Sequence, residues 1–128
     1  MKLRGYIDTQ IIAIAIIWLF HVSGIIGILY GNSQWFVEAT PINLSICFFL
    51  LVLVCWKTSG FIKITILSFI VGMFAEMLGV NYGYIFGSYQ YGEALGWKFF
   101  GVPLLIGANW SILTICSSVF GVLFFQVD

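Results

Sequence analysis

Charge is what this chain has least of. Five Lys/Arg and five Asp/Glu in 128 residues make it only 8% charged. Soluble domains run near ~25% charged. With 62% hydrophobic residues and a mean hydropathy of +1.10, a water-soluble fold is excluded and an integral membrane protein is indicated. A formal net charge of zero gives no basic surface to neutralise phosphates, so no nucleic-acid partner is indicated. Cysteine is also sparse. Cys47, Cys55 and Cys116 lie in apolar stretches and form no C-x-x-C pair, which reads as small buried hydrophobes and leaves the redox compartment open. There is no G-x-x-x-x-G-K-[ST], no H-E-x-x-H and no haem- or cluster-type cysteine spacing, so no nucleotide, metal or redox cofactor is indicated.

What is present is length of apolar chain. Hydrophobic segments run over about 10–30, 40–56, 61–80 and 99–125. A helix needs roughly 20 apolar residues to cross the hydrocarbon core. The second segment is short by that measure, and an extension back toward Ala39 would put Pro41 in a first helical turn, where a missing N–H costs little. Stretches such as IIAIAIIWLF and LSICFFLLVLVCW lack the alternation of a transmembrane barrel. Helices satisfy their own backbone in lipid. The fold class is therefore all-α, a polytopic membrane protein with about four transmembrane helices in one bundle over 1–128. MKLRGYIDTQ opens like a signal peptide, but the apolar run after it is too long and lacks a cleavage site, so a retained first helix is expected.

Basic residues orient such helices. Lys2, Arg4, Lys57 and Lys63 fall on one side and Lys98 on the other, which puts both termini in the cytoplasm. Gly24, Gly27 and Gly31 give the first helix a small-residue face suited to close helix contact, including contact with a second copy. His21 lies within that helix, as a packing residue or a proton shuttle.

The stretch 74–110 is different in kind. Glu76 lies in an apolar run, and an ionisable group at membrane depth is by default a functional candidate. Helical spacing puts Gly72 and Gly79 on its face, leaving room for a neighbouring helix or a ligand. Burial favours the neutral form of a carboxyl group, and a protonated Glu can serve as a general acid. The alternative is an interhelical hydrogen bond. The aromatic connection 81–98 follows, carrying Asn81, Tyr82, Tyr84, Phe86, Gly87, Tyr89 and Tyr91. It reads either as an interfacial aromatic belt or as the wall of a cleft whose ring faces stabilise positive charge. Asn109 and Trp110 lie in the fourth helix, where an Asn needs a partner, with packing as the plainer role. Pro103 reads as a kink or as the helix start.

Ala75-Glu76-Met77-Leu78-Gly79-Val80, then Gly83, Phe86-Gly87-x-Tyr89-x-Tyr91, Leu95-Gly96, Gly101-Val102-Pro103-Leu104 and Trp110 resemble the carotenoid biosynthesis protein family, which includes bacterial and archaeal carotenoid hydratases. The match covers spacing as well as identity; the first two helices match only as apolar segments. Members of that family are longer, with a second motif region, so the chain is expected to correspond to their N-terminal part or to be a shortened relative. The resemblance implies a prokaryotic cytoplasmic-membrane protein that hydrates the terminal C1=C2 bond of an acyclic carotenoid end group without a cofactor. It implies Glu76 as proton donor, a substrate site of Asn81, Tyr82, Tyr84, Phe86, Gly87, Tyr89, Tyr91, Asn109 and Trp110, and an apolar isoprenoid and membrane lipid as partners. A non-catalytic carotenoid- or lipid-binding subunit is the alternative.

Overall fold

The computed structural model describes the backbone of residues 2–125 and the side chains of 8–121. Helices α1 (Lys2–Tyr30), α2 (Ser33–Cys55), α3 (Phe61–Tyr82) and α4 (Leu104–Phe125) are joined by short turns and one long connection. All four are long and apolar enough to cross a membrane. At 1.5 Å per residue, α2 and α3 each reach about 33 Å, the thickness of a hydrocarbon core. The protein is thus an all-α, multi-pass membrane protein. The chain divides into two compact units, Met1–Thr58 and Ser59–Asp128, each a helical hairpin.

In the first unit the turn between α1 and α2 is far shorter than the sequence suggested. Asn32 caps α2 by accepting the Trp35 N–H at 3.2 Å, so the helix starts at Ser33 rather than near residue 40. Pro41 therefore lies inside α2, not in its first turn. The Asn cap decides the start; in lipid, a proline within a helix is tolerated. Leu44, Cys47, Leu51 and Cys55 form its buried face, and the cysteines are free thiols. Gly27 has no Cβ because the Phe36 ring occupies that space. Gln10 Nε2 donates to Thr58 Oγ1 at 3.0 Å and ties α1 to the turn after α2.

In the second unit α3 and α4 pack closely. A Cβ on Gly107 would come within 2.6 Å of the Phe69 ring. Beside it the Ser111 hydroxyl lies 2.9 Å from the Thr65 carbonyl. At the end of α3, Gly83 (φ +70°) and Tyr84 direct their N–H groups back to Gly79 and Leu78. This C-terminal closure needs a left-handed residue, which glycine supplies.

The fourth helix begins at Leu104, not near residue 99. Lys98–Phe99 (β1) and Val102–Pro103 (β2) form a two-stranded antiparallel ribbon first, with Phe99 opposite Val102. Phe100 and Gly101 both have positive φ, as a tight two-residue hairpin turn demands, and helix cannot run through them. Pro103 belongs to β2 and is fully buried, so it neither kinks nor starts the helix. Val102 is extended ahead of it, as a residue before proline tends to be.

Candidate functional site

The site lies within the second unit. Glu76 is six residues, or about 9 Å along the axis, inside the end of α3. Only 8% of it is exposed. A carboxyl group so placed needs hydrogen-bond partners, and three side chains from two other parts of the unit supply them. Tyr91 donates its hydroxyl to Oε2 at 2.8 Å, and Tyr89 donates to the same oxygen. Trp110, on α4, donates its indole N–H to Oε1 at 3.1 Å. The carboxyl group is thereby the common acceptor that joins α3, the connection and α4.

Two glycines on the Glu76 face make this approach possible. A Cβ on Gly79 would stand 2.6 Å from the Tyr89 hydroxyl, and a Cβ on Gly72 would overlap the Trp110 ring. Phe86 completes the aromatic wall. Its ring centroid is 6.4 Å from Trp110 and 6.5 Å from Tyr89, and Tyr89 meets Tyr91 edge to face at 5.6 Å. The segment that carries Phe86 is bent sharply. Phe86 donates its N–H to the Tyr84 carbonyl at 2.8 Å across Ile85, whose φ is +69°. A β-branched residue rarely adopts that conformation.

Burial, then the hydrogen bond to Glu76 and its charge, push the Tyr89 hydroxyl up to about 12. The same causes raise Tyr91. Both phenols therefore stay protonated, and remain donors to Glu76, across neutral pH. On the outer side Lys98 clasps the connection. Its ammonium donates to the Tyr91 carbonyl at 2.9 Å and to Glu93 at 2.6 Å.

Of the residues singled out by sequence, the structure gathers Glu76, Phe86, Tyr89, Tyr91 and Trp110 into one cluster. Tyr82 and Tyr84 stand apart, stacked on each other at 5.8 Å and largely exposed. Asn81 serves the backbone: its amide donates to the Met77 carbonyl at 2.9 Å and to the Phe100 carbonyl at 3.0 Å, pinning the ribbon turn to α3. Gly87 has a φ of +82° and open space around it, so it shapes the chain rather than a contact. Asn109 is half-buried on α4, next to Trp110 in sequence. Lys98 entered the sequence reading only as a topological charge, since nothing local marks its reach to Tyr91. Among the described residues, no three His, Cys, Asp or Glu side chains group as a metal site.

No curated protein and no solved structure matches this chain. Residues 41–127 match the family model described as carotenoid biosynthesis protein. That span covers α2 from Pro41 onward, all of α3 and the whole Glu76 cluster, and on it the chain belongs to the carotenoid biosynthesis protein family.

Proposed function

We propose that this protein hydrates the terminal C1=C2 double bond of an acyclic carotenoid end group, with Glu76 as the proton donor. The observation that carries the reading is the buried carboxyl group of Glu76, met by three hydrogen-bond donors and walled by aromatic rings. Protonating an alkene demands an acid whose conjugate base is well stabilised. When the proton leaves Glu76 for C2, the π electrons form the new C–H bond and C1 becomes a tertiary cation. The carboxylate left behind accepts the hydrogen bonds of Tyr89, Tyr91 and Trp110, which are already in place and need no reorganisation. The faces of Phe86, Tyr89 and Trp110 offer negative quadrupole to the cation. A water oxygen then bonds to C1, and the proton it loses returns to Glu76. The sum is addition of one water with no change of electron count, so the reaction calls for no redox partner.

Asn109 or Asn81 is proposed to orient the water; the Asn81 amide nitrogen already donates to the Met77 and Phe100 carbonyls. Tyr82 and Tyr84 are proposed to line the approach from the bilayer. The four-to-one distribution of basic residues supports a non-cytoplasmic face for the site, with both termini in the cytoplasm. Expression in a lycopene-producing cell, followed by pigment analysis, tests the reading. Wild-type chain should yield hydroxylated carotenoid and Glu76→Gln should not. Equal product from the two would remove Glu76 from the chemistry.

A second reading has its own observation. A carboxylate that holds three donors is also a structural clasp, suited to a subunit that binds a carotenoid or lipid without altering it. Pigment that co-purifies with unchanged mass would favour that reading.

A further inference from the structure

Tyr91 is held at both ends. Its hydroxyl donates to Glu76 Oε2 at 2.8 Å, and its backbone carbonyl accepts from the Lys98 ammonium at 2.9 Å. The stretch 87–92 contains no helix or strand, and among the described residues it makes no backbone–backbone hydrogen bond. A backbone without a ladder of its own takes its position from the side chains that grip it. At Tyr91 that grip is a charge-assisted bond, stronger than a neutral one. Lys98 itself stands on a fixed base. It lies in β1, paired with Pro103 of β2. The N–H of Leu104, the first residue of α4, donates to the Trp97 carbonyl at 3.0 Å. Asn81 of α3 holds the Phe100 carbonyl at the ribbon turn. The ribbon is thus tied to the two helices that carry Glu76 and Trp110, and Lys98 extends that tie back to Tyr91. The ammonium also meets Glu93 at 2.6 Å, but the Glu93 side chain is 93% exposed. An ion pair so open to water contributes little.

We infer that Lys98 is a positioning residue: by holding the Tyr91 carbonyl to the ribbon, it aims the Tyr91 hydroxyl at Glu76. In the reaction, that hydroxyl helps to stabilise the carboxylate left when the proton departs. The kinetic consequence rests on the hydratase reading; the hold on Tyr91 does not. Without the ammonium, the stretch around Tyr91 loses its reference to the ribbon, and the hydroxyl spends part of its time off Oε2. The donors from Tyr89 and Trp110 remain, so the loss is partial. The ring faces that would meet the substrate also remain, so substrate binding holds.

The test uses the full chain in lipid nanodiscs with lycopene as probe. The variants are Lys98→Met, Tyr91→Phe, the two combined, and Glu93→Gln. Lys98→Met should lower kcat by about tenfold at unchanged KM, as for a weakened hydrogen bond to a charged group. The double variant should be no slower than Tyr91→Phe alone, because Lys98 acts through that hydroxyl. Glu93→Gln should stay within about threefold of wild type. A second readout does not depend on turnover. The infrared carboxyl bands of Glu76, isolated by subtracting the spectrum of Glu76→Gln, should shift in the same direction in Lys98→Met and Tyr91→Phe, and no further in the double variant. Should Lys98→Met not fold, Lys98→Thr suits a strand and lacks the reach, with the same shifts expected. Additive losses in the double variant would overturn the inference, as would Glu76 bands unmoved by loss of Lys98. A loss in Glu93→Gln as large as in Lys98→Met would overturn it too, since the ion pair rather than the carbonyl would then matter. Shifted, non-additive bands in a wild-type protein that makes no product would keep the positioning role and refute the hydratase reading.

Discussion

The α1–α2 hairpin and the α3–α4 hairpin are built from helices of similar length and apolarity, yet they handle polar groups differently. In the first, Gln10 of α1 meets Thr58 of the turn after α2 in a single neutral pair, and the turn at Gly31–Asn32 is only two residues long. In the second, a carboxyl group is carried about 9 Å inward from a helix end and is given three donors drawn from segments up to 34 residues away. A long, bent connection exists to deliver two of those donors. Glycine shows the same contrast. Gly27 admits a Phe side chain, which is packing; Gly72 and Gly79 admit a Trp and a Tyr that reach a carboxyl group. Close helix approach is common to both units, and the chemistry sits where that approach also lets hydroxyl and indole donors in.

The largest expected effect sets Glu76 against Gln10. Glu76→Gln should lower hydroxylated carotenoid by about 10²- to 10⁴-fold, the usual contribution of a general acid. Gln10→Met, which removes the polar tie of the first unit, should cost about 1 kcal/mol of stability and leave turnover intact. Pigment analysis with thermal unfolding in nanodiscs reads both. Equal loss of activity in the two variants would erase the functional distinction between the hairpins.

Next comes the pair of glycines. Gly79→Ala places a methyl group 2.6 Å from the Tyr89 hydroxyl, and Gly27→Ala places one in the Phe36 ring. Each should lose about 1–3 kcal/mol through overpacking. Only Gly79→Ala should also lose activity, by about tenfold or more, because it moves a donor off Glu76. The comparison sharpens if stability falls equally and activity does not.

The architecture was largely legible in the chain, since long apolar runs and scarce charge leave helices as the sole economical answer in lipid. The boundaries that failed did so for local reasons. The start of α2 depended on an Asn side chain that caps backward over polar residues, and the start of α4 on a positive-φ turn at Phe100–Gly101 hidden in an apolar run. In the site, Glu76 announced itself by its rarity, and helical periodicity put Gly72 and Gly79 on its face. The division among the tyrosines was not legible. Tyr82 and Tyr84 look like Tyr89 and Tyr91 in composition. Tyr82, the last residue of α3, and Tyr84, just past Gly83, stay outward, and the connection beyond them brings Tyr89 and Tyr91 onto Oε2.

A smaller effect follows from Tyr89. Its hydroxyl is raised to about 12 in the folded protein, above the ~10 of a free phenol. Folding therefore favours the neutral form. That contribution is complete below pH ~10 and is lost as pH rises toward about 12. Wild-type unfolding midpoints in nanodiscs should fall over that window more steeply than those of Tyr89→Phe. Parallel curves for the two proteins would mean that Tyr89 is not in the Glu76 cluster.

The smallest effect separates the two connections. Ile85 holds a positive φ without glycine's freedom, whereas the Gly31–Asn32 turn places no such demand on a β-branched residue. A left-handed conformation costs an L-residue about 1–2 kcal/mol, and glycine would relieve it. Glycine also enlarges the entropy of the unfolded chain by about 0.4–1 kcal/mol. Ile85→Gly should therefore gain about 0–1.6 kcal/mol, seen as a slightly higher unfolding midpoint. The side chain itself is 66% exposed, so little packing is lost with it. What the substitution does loosen is the aim of the next residue, since the strained turn sets the Phe86 ring against Trp110 and Tyr89. Activity should fall by less than about tenfold even as stability rises. A variant that gains both would show that the bend is incidental. One that gains stability and loses activity would show that the connection is strained in order to hold the aromatic wall over Glu76, a demand the first hairpin never meets.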